Sequence, residues 1–546
     1  MPRATLAKRV WKLTFLAIAF FYLFGLGRLP LVGPDEPRYA EVAREMFARH
    51  DWVTPTLGGH PWFEKPALLY WLMIAGYRAL GVNEYAARLG PAICGLLTAA
   101  FVYWLGKSVE RADTTTETKS AKHLGEWSAL VYLSSLGAIA FSRAASFDIV
   151  LTMTVTGALC CFFVWQIATA NDQKRPWLLV AFYFLVGLSL LAKGLVGIVL
   201  PAGIIAAYFG MRREFPNKNF LLTLLWGLPV ALLVAASWYG PMLYRHGWAF
   251  IDQFIIQHHF ARFLSNKYHH PQPFYFYVPI ILLIALPWTI VVIAGLWSSR
   301  RWTWRGKESV DLMRVFALAW VIVPLVFFSL SKSKIPGYVL PVLPAAALLI
   351  GERITCFVQA SRGRLVIRLT GALLLIGAVA GGWYAAREGA PVWLIGTAIV
   401  AVSIVALFAI IAPEPRFSFP LFAAIPFLIC LCALKPAEFV ASRDSVRDLI
   451  RAADARGYPA APVFYLLCDD RSAEFYASGR LAYDATGEPI RFEGAQDVAA
   501  AIREKGAPGI VLIETRWEKQ LTDYQAVATE KIADNGRISI FAVRMR

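Results

Sequence analysis

Runs of roughly 20 apolar residues recur along this chain and leave few folds open to it. They lie near positions 11–27, 88–107, 124–142, 148–170, 176–192, 194–210, 219–240, 274–297, 313–331, 336–352, 367–385, 391–411 and 417–434. A helix of that length crosses the ~30 Å hydrocarbon core of a bilayer. In lipid, only helices and closed barrels satisfy their own backbone polar groups. Charged residues make up 17% of the 546, against about 25% in soluble domains. The sequence therefore predicts an all-α polytopic membrane protein with about 13 spans. No small-residue cleavage site follows the first run, so that run is expected to stay as an uncleaved span.

Charge sets the expected orientation. A net charge of +17 would suit nucleic acid, but the basic residues fall in short loops between apolar runs. That is the pattern of membrane topology, and it excludes a nucleic-acid groove. One set of alternate loops holds Lys107 and Arg111, Lys174 and Arg175, Arg212 and Arg213, Arg300 and Arg301, and Arg362 and Arg364. The positive-inside rule places these loops and the N-terminus in the cytoplasm, and thirteen spans then put the C-terminus outside. Of seven cysteines only Cys468 lies in a soluble stretch, and no pair has zinc-finger or redox spacing, so no disulfide framework is expected.

The outer side carries long loops at about 29–87 and 241–273, and beyond 434 the chain changes character. Residues 445–456 and 497–505 read as amphipathic helices, and 463–467, 509–513 and 538–543 as strands. This predicts a membrane domain over 1–434 and a small α/β domain over 435–546, large enough to fold alone.

Unusual polar residues collect on that outer side. In Gly33-Pro34-Asp35-Glu36-Pro37-Arg38-Tyr39-Ala40, Gly-Pro stops the preceding helix, Asp35 suits an N-cap and Glu36-Pro37 suit a first helical turn. A plain N-cap would account for Asp35 alone. Phe63-Glu64-Lys65-Pro66 precedes a second juxtamembrane helix over 67–80. Asp148 starts the fourth span, Lys193 interrupts two apolar runs, and His258-His259 and Arg262 lie in the second long loop. Ser331-Lys332-Ser333-Lys334 with Tyr338 separates two spans. Singly, each has an ordinary explanation: Lys332 and Lys334 snorkelling, Lys193 pairing with a neighbour, Asp148 capping a helix. Together, cations and carboxylates at membrane depth point to a site, because such residues are costly there and are usually functional. Lys and Arg beside Asp and Glu suit an anionic lipid head group handled next to an acidic centre.

These motifs resemble the first outer loop of GT-C membrane glycosyltransferases, in the branch around protein O-mannosyltransferases and the lipid A aminoarabinose transferases. His258-His259-Phe260-Ala261-Arg262-Phe263, Gln272-Pro273-Phe274-Tyr275, Pro287-Trp288 and Ser331-Lys332-Ser333-Lys334 with Tyr338 are similar to the aminoarabinose transferases in particular. The resemblance implies a GT-C fold with a periplasmic C-terminal domain, in the bacterial inner membrane. It implies transfer of 4-amino-4-deoxy-L-arabinose from undecaprenyl phosphate to a lipid A phosphate, which lowers surface negative charge and is associated with polymyxin resistance. The expected partners are that lipid donor, lipid A and membrane lipids.

The same resemblance makes Asp35 the essential acidic residue, with Glu36 beside it, and Asp148 the second acidic position. Lys65 and Arg262 are expected to bind the donor phosphate, with Tyr338 as hydroxyl donor, Lys332 or Lys334 in support, and Arg38, Tyr39 and Lys193 completing the substrate-binding set. A phosphate acceptor with second pKa ≈ 6 is already a nucleophile, so Asp35 and Asp148 are expected to orient it or to bind the sugar ammonium. Glu64 with His258 or His259 is a candidate site for a divalent cation such as Zn2+. Two alternatives stay open: the same donor chemistry with another acceptor, such as a protein hydroxyl, and a lipid-linked sugar transporter. Against the transporter, polar residues cluster at one face rather than at the midplane.

Overall fold

The computed structural model describes residues 3–112, 122–261, 272–387, 391–412, 414–484 and 487–546. The chain divides into two compact units, one of Met1–Phe24, Phe63–Leu69 and Gly90–Ala433, the other of Gly25–Trp62, Tyr70–Leu89 and Leu434–Arg546. Residues of the first outer loop thus fold with the C-terminal segment, and the unit boundaries cut across the division at residue 434 read from composition.

The first unit is helical. Helices lie over every predicted apolar run. Among the described residues, seven are long and apolar enough to cross a membrane, or nine if two bent pairs each count as one span. Trp177–Lys193 and Val196–Arg212 have 17 residues each, about 26 Å of helix, at the short end for a span.

The bent pairs are Leu124–Leu133 with Leu136–Ser142, at 60°, and Tyr277–Ile284 with Thr289–Arg301, at 114°. Each was a continuous run in the sequence reading. The breaks have local causes and complete one another. Pro287 lacks the N–H a helix needs, and the hydroxyls of Ser134 and Ser135 donate back to the Leu130 and Val131 carbonyls. The freed Leu136 amide donates to the Leu286 carbonyl at 2.9 Å, and the Trp288 indole donates to Ser134 Oγ at 3.0 Å. Backbone broken at membrane depth is satisfied by protein, as lipid requires.

The second outer loop also departs from expectation. Lys218–Phe250 is helical, with non-helical backbone at Gly247, and continues as a π-type helix over Ile251–Ala261. Its aromatic side chains hold it: Phe250 stacks on Phe254 at 5.3 Å, and both pack against the buried Trp238.

In the second unit a five-stranded sheet has the order β4-β3-β5-β7-β6. The strands are β3 (Val463–Leu466), β4 (Arg491–Phe492), β5 (Gly509–Glu514), β6 (Val527–Asp534) and β7 (Ile538–Met545). The β4-β3-β5 side is parallel and the β5-β7-β6 side antiparallel. Strand alternation builds two cores. Val463, Tyr465, Ile510 and Leu512 face one way with Leu449 and Ile450 of the Arg447–Ala455 helix. Phe464, Leu466, Val511 and Ile513 face the other with Val498 and Ile502 of the Ala495–Lys505 helix. The sequence reading missed β6, whose Thr529, Glu530, Lys531 and Asp534 suit an exposed edge strand.

In the same unit, helix Glu36–Ala48 is followed by the hairpin β1 (Thr56–Leu57) and β2 (His60–Pro61). The hairpin turns through Gly58 and Gly59, both at positive φ, and a side chain at Gly58 would run into the Tyr483 ring. Glu45 ties helix to hairpin by accepting from the Thr56 hydroxyl at 2.5 Å and the Gly59 amide at 3.2 Å.

Candidate active site

The acidic motif of the second unit is mostly structural. Asp35 occupies the N-cap position of its helix but accepts no capping hydrogen bond from the helix backbone. Its carboxylate instead takes the Arg38 guanidinium at 2.7 Å, and Arg38 also donates to the Pro34 carbonyl and lies 5.5 Å from the Trp62 ring centroid. Tyr39 is buried. Glu36, expected at the reacting centre, is 8% exposed. Both of its oxygens take Arg88 at 2.7 Å, and one also accepts from the Val32 amide. Both Glu36 oxygens, read in sequence as catalytic, are thus engaged within the protein. Arg88 completes the knot through the carbonyls of Leu26, Leu29 and Pro30. Among Asp35, Glu36, Arg38 and Tyr39 the side chain of Asp35 is the exposed one, at 54%.

A little further along the same helix, Glu41 is 1% exposed and paired with Arg44 at 2.5 Å. Burial pushes its carboxyl up to about 7, against the pull of Arg44.

The cations of the first unit are arranged differently. A cavity of about 430 Å³ is lined by Glu64, Lys65, Lys193, His258, Ser331 and Tyr338, and otherwise by apolar side chains that include Leu195, Val196, Val199, Phe260, Phe327 and Phe328. Phe63 anchors the strip carrying Lys65, its ring 4.9 Å from His246 and 5.7 Å from Phe250. The Lys65 ammonium lies 3.0 Å from the Glu64 carboxylate.

Lys193 ends the Trp177–Lys193 helix, where the macrodipole favours a cation. Gly194 turns the chain at positive φ. Asp148 sits in the first turn of helix Phe147–Ala170, where the dipole favours an anion, and its amide donates to the capping Ser146 hydroxyl. The Lys193 ammonium donates to the Asp148 carboxylate and stands 4.4 Å from the centroid of the Tyr338 ring. Gly337 permits this packing, because a Cβ there would collide with the same carboxylate. Asp148 thus holds the Lys193 ammonium by an ion pair.

The remaining predicted residues separate clearly. Lys334 is buried, and its ammonium donates to the carbonyls of Ser331 and Gln272, which closes the turn. Lys332 is exposed and does not line the cavity. Arg262 and the neighbouring His269 and His270 lie outside the described residues. Sequence reasoning missed the apolar wall of the cavity, since Leu195, Val196, Val199, Phe327 and Phe328 look like ordinary lipid-facing residues.

Glu64 and His258 do line one cavity, but no group of three or more His, Cys, Asp or Glu able to hold a metal forms among the described residues. Zinc sites use three or four protein ligands, and Glu64 is already paired with Lys65. The side chain of His259, the other histidine of this candidate set, lies outside the described residues.

Comparisons agree with this architecture. Residues 10–239 match the family of dolichyl-phosphate-mannose-protein mannosyltransferases. An undecaprenyl phosphate-alpha-4-amino-4-deoxy-L-arabinose arabinosyl transferase of Erwinia tasmaniensis is 32% identical over 338 residues, 62% of this chain and 58% of that one. A second from Sodalis glossinidius is 32% identical over 368 residues, 66% of this chain and 63% of that one. The chain thus spans about three-fifths of the length of the curated relatives it matches. The crystal structure of ArnT from Cupriavidus metallidurans bound to undecaprenyl phosphate superposes with a TM-score of 0.78 at 23% identity, covering 97% of this chain and 98% of that one. That likeness establishes the fold.

Proposed function

We propose that this chain, which belongs to the ArnT family of GT-C membrane proteins related to the protein mannosyltransferases, transfers 4-amino-4-deoxy-L-arabinose from undecaprenyl phosphate to a phosphate of lipid A. The reaction takes place at the periplasmic face of the bacterial inner membrane, with the N-terminus in the cytoplasm. The observation that carries this reading is the Lys65 cavity. Two ammonium groups and a tyrosine line a pocket with Glu64, His258 and Ser331, and its other lining side chains are apolar, which suits a phosphate carried on a long hydrocarbon.

In the reaction the bond from the anomeric carbon to the donor phosphate oxygen breaks, and a bond from that carbon to an acceptor phosphate oxygen forms. Undecaprenyl phosphate departs with the electron pair. Lys65 and Lys193 stabilise the charge that develops on it, a role needing no proton transfer. Each ammonium has three donors, so its carboxylate partner fixes its position and leaves donors for the phosphate. Asp148 holds the Lys193 ammonium beside the Tyr338 ring. The acceptor phosphomonoester, with second pKa ≈ 6, attacks as an anion without a general base. Asp35, the exposed carboxylate of its motif, binds the sugar ammonium or orients the acceptor.

Mass spectrometry of lipid A tests this, using detergent-purified protein with undecaprenyl-phosphate-aminoarabinose. Wild type should add one pentosamine mass, and Asp35→Ala and Lys65→Ala should not. Activity on a peptide hydroxyl in place of lipid A would keep the donor chemistry and overturn the acceptor.

A further inference from the structure

At its other end the helical unit carries a second set of cations. The Phe147–Ala170 helix has Asp148 in its first turn, and Asn171 follows its last, about 35 Å away at 1.5 Å per residue. Asn171 and Arg175 line a cavity of about 360 Å³ together with Arg111. Arg111 also lines a larger cavity, of about 730 Å³, with Lys8, Trp11, Lys12, Lys107 and Glu126 among its walls. The two cavities share Arg111.

Its chemistry is layered. Four cations, Lys8, Lys12, Lys107 and Arg111, face two carboxylates, Glu110 and Glu126. Lys107 binds both carboxylates, at 2.8 and 2.7 Å, and four cations against two carboxylates leave a surplus of two positive charges, to which the exposed Lys8 and Lys12 contribute. Lys8, Lys12 and Leu16 follow one another at i, i+4 and i+8, a single stripe of the first helix, and Phe20 lies one turn further. Leu16 and Phe20 are 56% and 66% exposed. Trp11 lies between Lys8 and Lys12 on the same helix, its ring held edge-on by Trp127 at 5.1 Å. Cations above, an interfacial tryptophan, and an open apolar stripe beneath match a phospholipid in cross-section.

We propose that this cavity binds an anionic phospholipid of the adjoining leaflet, which is the cytoplasmic leaflet by the positive-inside rule. Its head-group phosphate is held by Lys8, Lys12 and Arg111, and an acyl chain runs along Leu16 and Phe20. The charge surplus selects against zwitterionic lipids, and the exposed apolar stripe selects against a soluble phosphate.

Native mass spectrometry of the purified chain in detergent tests this, with phosphatidylglycerol, phosphatidylcholine or glycerol phosphate added. Wild type should retain phosphatidylglycerol in preference to phosphatidylcholine. The Lys8→Gln/Lys12→Gln variant should bind it about thirtyfold more weakly, the effect expected of two juxtamembrane cations, and Lys8→Arg/Lys12→Arg should restore binding. Both lysines are exposed, so the fold should hold. Leu16→Asp, which leaves the lysines in place, should also weaken retention. Equal retention of the two lipids by wild type, or wild-type retention by Lys8→Gln/Lys12→Gln, would overturn the proposal. So would displacement of the lipid by an equal concentration of glycerol phosphate.

Discussion

Two kinds of ion pair occur in this molecule, and they differ in what their donors have left to do. In the second unit the Arg88 guanidinium has five N–H donors, and all five are taken, two by Glu36 and three by backbone carbonyls. In the first unit Lys65 and Lys193 each donate to one carboxylate and face a cavity. The saturated pair fixes a loop. The unsaturated pairs hold charge in position for a ligand. Donor saturation, more than the mere presence of charge at membrane depth, separates architecture from chemistry here.

The largest test of the contrast is Arg88→Ala. Breaking a buried pair from one side costs about 3–5 kcal/mol, so this variant should lose most of its thermal stability. Glu36→Leu/Arg88→Met should recover part of it, because no unpaired charge is then buried. A folded, active Arg88→Ala protein would abolish the distinction. Lys65→Ala should do the opposite, leaving the melting temperature near wild type while kcat/KM falls by about 10²-fold, the size typical of one lost electrostatic donor.

Glu41 sharpens the comparison through pH. Its carboxyl rises in the folded unit from an ordinary 4.5 to about 7. Its contribution to stability is therefore complete below about pH 4.5 and is lost as pH rises through 7. Thermal melts from pH 5 to 8 should show this decline, on the order of 2 kcal/mol, and Glu41→Gln should flatten it. The smallest effect belongs to Lys332→Ala. Lys332 is exposed and outside the cavity, so kcat/KM should change by less than twofold in the same transfer assay.

Much of this was legible in the residues. Apolar run length marked where helices form, and short continuous apolar runs marked β3, β5 and β7, because burial on two faces leaves few polar positions in a strand. The edge strand β6 was not legible, since an exposed edge tolerates Glu530 and Lys531. Charge type located the site but could not rank its members. Glu36 and Lys334 look as reactive in sequence as Asp35 and Lys65, and only three dimensions reveal their partners, Arg88 and the carbonyls of Ser331 and Gln272. The helical course of 251–261 was hidden for a related reason. Its histidines and polar residues read as loop, and the Phe250–Phe254 packing that holds it against Trp238 appears only in three dimensions.

The most direct measurement is binding of undecaprenyl phosphate to the purified chain, followed by native mass spectrometry for wild type, Lys65→Ala/Lys193→Ala and Val199→Trp. The first variant removes the phosphate's cations, and the second fills the apolar part of the cavity. If the Lys65 cavity holds the donor lipid, the double variant should weaken binding at least thirtyfold, about 2 kcal/mol, and Val199→Trp should weaken it as well. Wild-type affinity in both variants would contradict the account and place the lipid elsewhere.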